Sequence, residues 1–161
     1  MTGWKNRARL NSMSDDLFES ETAHAPPGFE PMNWSRGFGR QVGPFYEKSE
    51  TDGGFTRAFQ VGEHHVNGMG NCHGGMLMAF ADMVWGHAIS KSRTHHWVTA
   101  RMTTDFVASA KLGEWVFGTS ELAGDDEGFY TVKGRLWTAE RTIMSGTGVF
   151  KLLGPRAERR T

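Results

Sequence analysis

A single cysteine, Cys72, leaves no partner for a disulfide within the chain and fits a protein kept reduced in the cytoplasm. No apolar run reaches the length needed to span a bilayer, and the opening stretch MTGWKNRARLNSMSDD lacks the apolar centre of a signal peptide. Charge of either sign is not in excess: 18 Lys and Arg balance 18 Asp and Glu, so bulk electrostatics favour neither nucleic acid nor an anionic membrane as a partner. Metal-ligand patterns are missing too. The seven histidines include the pairs His64-His65 and His95-His96, but neighbours on a strand point to opposite faces, and there is neither a His-Glu-x-x-His motif nor a second cysteine. No metal and no cofactor is expected.

What the chain has in abundance is glycine, 21 in 161 residues, scattered without a repeat. These read as turns and close backbone approaches rather than low complexity. The length suits one domain with a real core. Residues 1–40 are polar, carry APPGFEPMN and hold one short amphipathic candidate in SDDLFESETA; they read as a partly disordered extension. A domain over 41–154 and a charged tail over 155–161 complete the division.

Within the domain, GPFYEKSE and GGFTRAFQVGEHHV flank a Thr-Asp-Gly-Gly turn and read as a hairpin. A helix over about 74–91 follows. HHWVTARMTTDFVAS then alternates, with Val98, Ala100, Met102, Thr104 and Phe106 on one face and Thr99, Arg101, Thr103 and Asp105 on the other. GEWVFGTSELA, FYTVKGRLWTAER and TIMSGTGVFKLLG supply three further strands, and Gly146 and Gly148 share a face that would let the sheet approach the helix closely. One helix apolar on nearly every face needs cover on nearly every face. The pattern predicts an α+β domain: a long central helix wrapped by a twisted antiparallel sheet of five to six strands, with a second subunit covering the remainder.

The chemistry concentrates at the start of that helix. Cys72-His73-Gly74-Gly75 would present unpaired N–H groups at its positive end, where glycines let a ligand oxygen come close. Such donors stabilise negative charge developing on a carbonyl oxygen. A helix start with glycines and nothing bound is the plainer alternative. Asp82 is isolated among apolar residues, with His87 and the Trp85 indole as its only polar company and with Met78, Ala79, Trp85 and Gly86 on its face. Desolvation raises the pKa of such a carboxyl and neighbouring donors lower it, a balance suited to a general base or a nucleophile. A carboxylate bonding a neighbouring chain across an interface would look the same.

The run NGMGNCHGG, with Asp82 nine residues after His73, resembles the hotdog-fold acyl-CoA thioesterases of the PaaI-like branch (phenylacetate-pathway, hydroxybenzoyl-CoA thioesterase-like), and SAKLGE at 109–114 resembles a later strand connection of that group. The resemblance covers about residues 44–153. It implies hydrolysis of an acyl-CoA to acid and CoA, with the Gly74 N–H polarising the carbonyl and Asp82 as base or nucleophile. By the same pattern Asn67 orients water or carbonyl, although Asn-Gly is also a common turn. Thr99 aligns with a hydroxyl near the attacking water, although a Thr in a strand needs no such role. His73 and Gly75 are implied as supporting residues that hold the helix start. Met78 and Trp85 are candidate substrate contacts; Arg101, Lys111 and Lys133 are candidate partners for the CoA phosphates. The family builds its site between two subunits, so a homodimer or dimer of dimers is implied, Asn67 and Gly74 coming from one chain and Asp82 and Thr99 from the other. Two alternatives share the fold: a non-catalytic acyl-CoA-binding module, and a dehydratase, which the Asn67–Asp82 pattern fits less well. A Cys72 thiolate nucleophile is disfavoured, because a helix start points adjacent residues such as Cys72 and His73 apart.

Overall fold

The computed structural model describes residues 25–92 and 95–155. In chain order these form β1 (Glu30–Pro31), a one-turn helix α1 (Phe38–Gln41), β2 (Tyr46–Ser49), β3 (Phe55–Gln60), a 3-10 turn (Glu63–His65), α2 (Gly74–Ser92), β4 (His95–Phe106), β5 (Trp115–Asp126), β6 (Phe129–Trp137) and β7 (Thr142–Pro155). The strands make one antiparallel sheet in the order β1-β2-β3-β5-β6-β7-β4, and α2 lies across it. The sheet has seven strands rather than five or six, because the two residues of β1 pair with β2.

Local chemistry explains the connections. The β2–β3 turn closes through Gly53, at φ +83°, and through the Gly54 N–H donating to Asp52 Oδ1 at 2.8 Å. Between β5 and β6, Glu127 and Gly128 both have positive φ, as a tight two-residue hairpin turn with the twist of its strands requires. Phe45, Phe59 and Phe80 form an aromatic cluster between sheet and helix, the Phe45 and Phe80 rings stacked at 5.6 Å. Trp85 is fully buried in a slot floored by Gly134 and Gly146; a Cβ at position 146 would lie 2.9 Å from its Cη2, and one at 134 would collide with the indole outright. The close approach expected of the β7 glycines is therefore made to this one side chain.

Two features differ from the pattern read in the sequence. In β4, Thr99 is opposite Phe150 and Arg101 is opposite Val149, so Ala100 is an extra residue, a bulge. Strict alternation breaks there. Trp97 and Thr99 face the helix before it, and Met102 and Thr104 after it, whereas Val98 turns outward with 46% of its surface exposed. At the other end of the chain, residues 26–41 are built onto the domain. Phe29 contacts Phe117 at 5.7 Å and Trp34 packs on Phe45 at 5.3 Å, so packed structure begins ahead of residue 41. The helix candidate in SDDLFESETA and the tail beyond Pro155 lie outside the described residues. Among those described, no helix is long and apolar enough to cross a membrane.

β4 is the last strand of the sheet, bonded only to β7 among the described strands. Phe106 at its end is 52% exposed, with Val98 and Val107 also open. A long edge carrying apolar side chains is a ready surface for another strand.

Candidate functional site

The loop before α2 is tied at several points. Asn67 Oδ1 accepts from the N–H groups of Met69 (2.9 Å) and Asn71 (3.3 Å), and its Nδ2 has no partner among the described residues. Cys72 N–H donates to Ala110 at 2.7 Å and His73 N–H to His65 at 2.8 Å. His65 is itself buried: Nδ1 accepts from Gly62 and Nε2 donates to the Val42 carbonyl, each at 3.0 Å, and burial pushes its pKa down. The neutral ring therefore bolts the loop to the segment before β2.

His73 caps the helix. Its Nδ1 accepts from Gly75 N–H at 2.9 Å, and its carbonyl accepts from Met76 at 2.9 Å and Leu77 at 3.1 Å. Three first-turn donors are thereby satisfied. The Gly74 N–H alone in that turn has no partner among the described residues, and the ring of Phe106 lies 3.5 Å from where a Cβ on Gly74 would sit. The electropositive end of α2 thus has one open donor.

Asp82 lies two turns on, half-buried, with Oδ1 accepting from the Thr99 hydroxyl at 2.6 Å. Oδ2 has no hydrogen-bond partner among the described residues. The donors expected from sequence are not the ones found. Trp85 is fully buried in its glycine slot, with no partner for Nε1, and so does not reach a substrate surface. His87 turns instead to Glu47. Met78, one turn before Asp82, is half-buried, and its Sδ accepts from the Thr104 hydroxyl at 3.1 Å. The bulge at Ala100 is what turns Thr99 toward the helix.

An ion cluster that the sequence reading missed supports this part of α2. Arg57, 7% exposed, donates from Nε to Glu47 at 2.8 Å and from Nη1 to the carbonyl of Met83 at 2.6 Å. His87 Nε2 comes within 3.2 Å of the same Glu47 carboxylate, but without hydrogen-bond alignment, so Arg57 is the firmer partner on geometry. Together the His87 imidazole and the Arg57 guanidinium hold Glu47 down at about 2. Burial, opposed by Glu47, lowers Arg57. The signal was present in FTRAF, where period two places Arg57 between Phe55 and Phe59 on the buried face.

Cys72 is inert as a nucleophile: it is 5% exposed and burial pushes its thiol up to about 12. Among the described residues no three His, Cys, Asp or Glu side chains could share a metal ion. Of the cations considered for phosphate contacts, Lys111 pairs by its backbone with Asn71 beside the loop. Arg101 is exposed on β4. Lys133 alternates to the sheet face opposite Gly134.

A single long helix in the grip of an antiparallel sheet is the hotdog fold of thioesterases. The thioesterase superfamily model matches residues 69–144, from the loop through the start of β7. The protein is also 30% identical over 131 residues to the "Putative esterase PA0474" of Pseudomonas aeruginosa, covering 80% of this chain and 98% of that one. The chain belongs to the thioesterase superfamily. Zebrafish thioesterase superfamily member 2 has the same fold (TM-score 0.66, 27% identity, 74% of this chain and 88% of that one). So does a hypothetical thioesterase from Streptococcus pneumoniae TIGR4 crystallised with coenzyme A (TM-score 0.63, 21% identity, 70% and 88%).

Proposed function

We propose that the protein hydrolyses acyl-CoA thioesters to free acid and CoA, at sites shared between the two chains of a homodimer. The observation that carries this reading is the separation of the two halves of the site. Gly74 and Asp82 are eight residues apart on one helix, about 12 Å of rise, too far for one thioester carbon to meet both within a chain. They flank opposite ends of the free β4 edge: Gly74 lies beside Phe106, and Asp82 is bonded to Thr99. Antiparallel pairing of two β4 edges about a two-fold axis brings the Phe106 end of one chain across from the Thr99 end of the other. Each Gly74 then faces the partner's Asp82.

In this arrangement the thioester carbonyl oxygen accepts from the Gly74 N–H, where negative charge grows as the tetrahedral intermediate forms. Asp82 Oδ2 and the Thr99 oxygen accept from one water, and Asp82 takes its proton as the water oxygen attacks the carbonyl carbon. The C–S bond breaks, the sulfur leaves as CoA thiolate, and the proton returns to it. The free Asn67 amide donates to the water or to the carbonyl. Superfamily membership and a fold neighbour that holds coenzyme A support the choice of substrate class.

The test is release of free CoA, read with a thiol-trapping dye over a broad acyl panel. Asp82→Ala is expected to fold and dimerise yet lose at least about 100-fold in kcat, and Asn67→Ala about tenfold. Near-normal turnover by Asp82→Ala overturns the assignment. Tight binding of acyl-CoA with no release across the panel would make the protein a binding module instead.

A further inference from the structure

The side chains on the outward face of β4 follow an order that its apolar neighbours do not explain. The Thr104 hydroxyl reaches Met78 on α2, so Met102 and Thr104 face the helix and Arg101, Thr103 and Asp105 face away. All three are exposed. Arg101 and Asp105 have no salt-bridge partner among the described residues. One positive and one negative charge thus flank Thr103 symmetrically, on a strand bonded along one side to β7. Charges on an edge strand ordinarily deter pairing. A partner whose own charges run in the reverse order is the exception, and an antiparallel second copy of this strand is such a partner.

We propose that two copies of the chain pair through β4 with Thr103 opposite the partner's Thr103, and that ion pairs between Arg101 of each and Asp105 of the other fix this register. The inference rests on the edge pairing proposed for the shared site, and elimination selects the register. A two-fold axis normal to the sheet keeps both helices on one face. Helix-facing residues then oppose helix-facing residues, so the axis passes through a residue pair and not between two residues. An axis at Arg101 would set two guanidiniums together, and one at Asp105 two carboxylates. An axis at Met102 sets Arg101 against threonine, and one at Thr104 sets it against Val107. Thr103 alone, as centre, brings unlike charges opposite, with Cβ atoms about 5 Å apart. The same centre places Phe106 opposite the partner's Ala100, the bulged residue beside Thr99. Gly74 lies beside Phe106 and Asp82 is bonded to Thr99, so the charges and the shared site independently require one alignment. Arg101 is thereby assigned to the interface and not to the CoA phosphates.

Charge reversal tests the register at exposed side chains, away from the core. Arg101→Glu sets a carboxylate against the partner's Asp105, and Asp105→Arg sets two guanidiniums together. Each single variant is expected to raise the dimer Kd at least about tenfold. The double exchange, Arg101→Glu with Asp105→Arg, restores both unlike pairs and is expected within about twofold of wild type. Co-expression of the two single variants in equal amounts gives the sharper readout, because every charge in a mixed dimer meets its opposite. Native mass spectrometry should then find about nine mixed dimers in ten, against about half for random pairing. Random pairing, or a double exchange no better than the single variants, overturns the register and leaves thioester hydrolysis standing. A wild-type chain that stays monomeric overturns the register and the shared site together. Mixed dimers in excess, with no CoA released from any acyl-CoA, retain the register and sink the thioesterase reading.

Discussion

Gly74 separates chemistry from stability more cleanly than any other residue of the site. A Cβ there would sit 3.5 Å from the Phe106 ring, an ordinary contact, and alanine is the better helix former. Gly74→Ala should therefore be as stable as wild type in urea, or more stable by up to about 1 kcal/mol. If the N–H receives the carbonyl oxygen, the added methyl obstructs its approach and kcat/KM falls at least about tenfold. Unchanged turnover would remove that donor from the mechanism. At this scale the sequence marked which residues are locally unusual and was a poor guide to their partners. Asp82 among apolar neighbours and glycines at a helix start are visible as local anomalies. The donor to Asp82 is not, because Thr99 reaches it from another element. Trp85, one turn along, was drawn into the site on helical spacing alone, whereas the glycines of β6 and β7 draw it into the core.

Elements are legible where period and turn chemistry agree, and they mislead where a bulge resets the period. The α2 helix and the β2–β3 hairpin lie where glycine turns and apolar runs indicate. β4 also lies where expected, but one bulged residue, Ala100, exchanges the faces of its first half and so decides that Thr99 and Trp97 look at the helix. Nothing in HHWVTARMTTDF marks Ala100 as the extra residue. The helix start makes its own prediction. His73 Nδ1 caps Gly75 at 2.9 Å, so His73→Ala leaves that N–H open and should lower unfolding free energy by about 1 kcal/mol, as loss of other N-cap side chains does. Equal denaturation midpoints for variant and wild type would show that the imidazole does not hold the helix end.

Over the whole molecule, the Arg57–Glu47–His87 cluster joins β2, β3 and α2, so FTRAF marks Arg57 as buried while its partners lie on other elements. The packing of residues 26–41 was hidden for a related reason: its polar composition suggested a free tail, while Phe29 and Trp34 anchor it to distant rings. The cluster gives the fold a specific acid response. Glu47 is at about 2 in the folded chain against an ordinary value of 4.5. A depressed carboxyl contributes its full stabilisation above its unfolded pKa and loses it as pH falls through the folded one, so the loss runs from about pH 5 down to about pH 2. The difference corresponds to about 3 kcal/mol, with a partly accessible Glu47 toward the lower side of that figure. Glu47→Gln cannot titrate. It should be less stable than wild type at pH 7, because Arg57 keeps its buried charge without a counterion, and the gap should close steadily on acidification. Other depressed carboxyls, Glu50 and Glu114 among them, are common to both proteins and cancel in the comparison. Urea unfolding of both proteins at pH 7, 5 and 3 measures this directly. A wild-type advantage that is the same at all three pH values would mean that Glu47 is not held ionised by its neighbours, and that the sheet–helix junction beneath Asp82 depends on packing rather than charge.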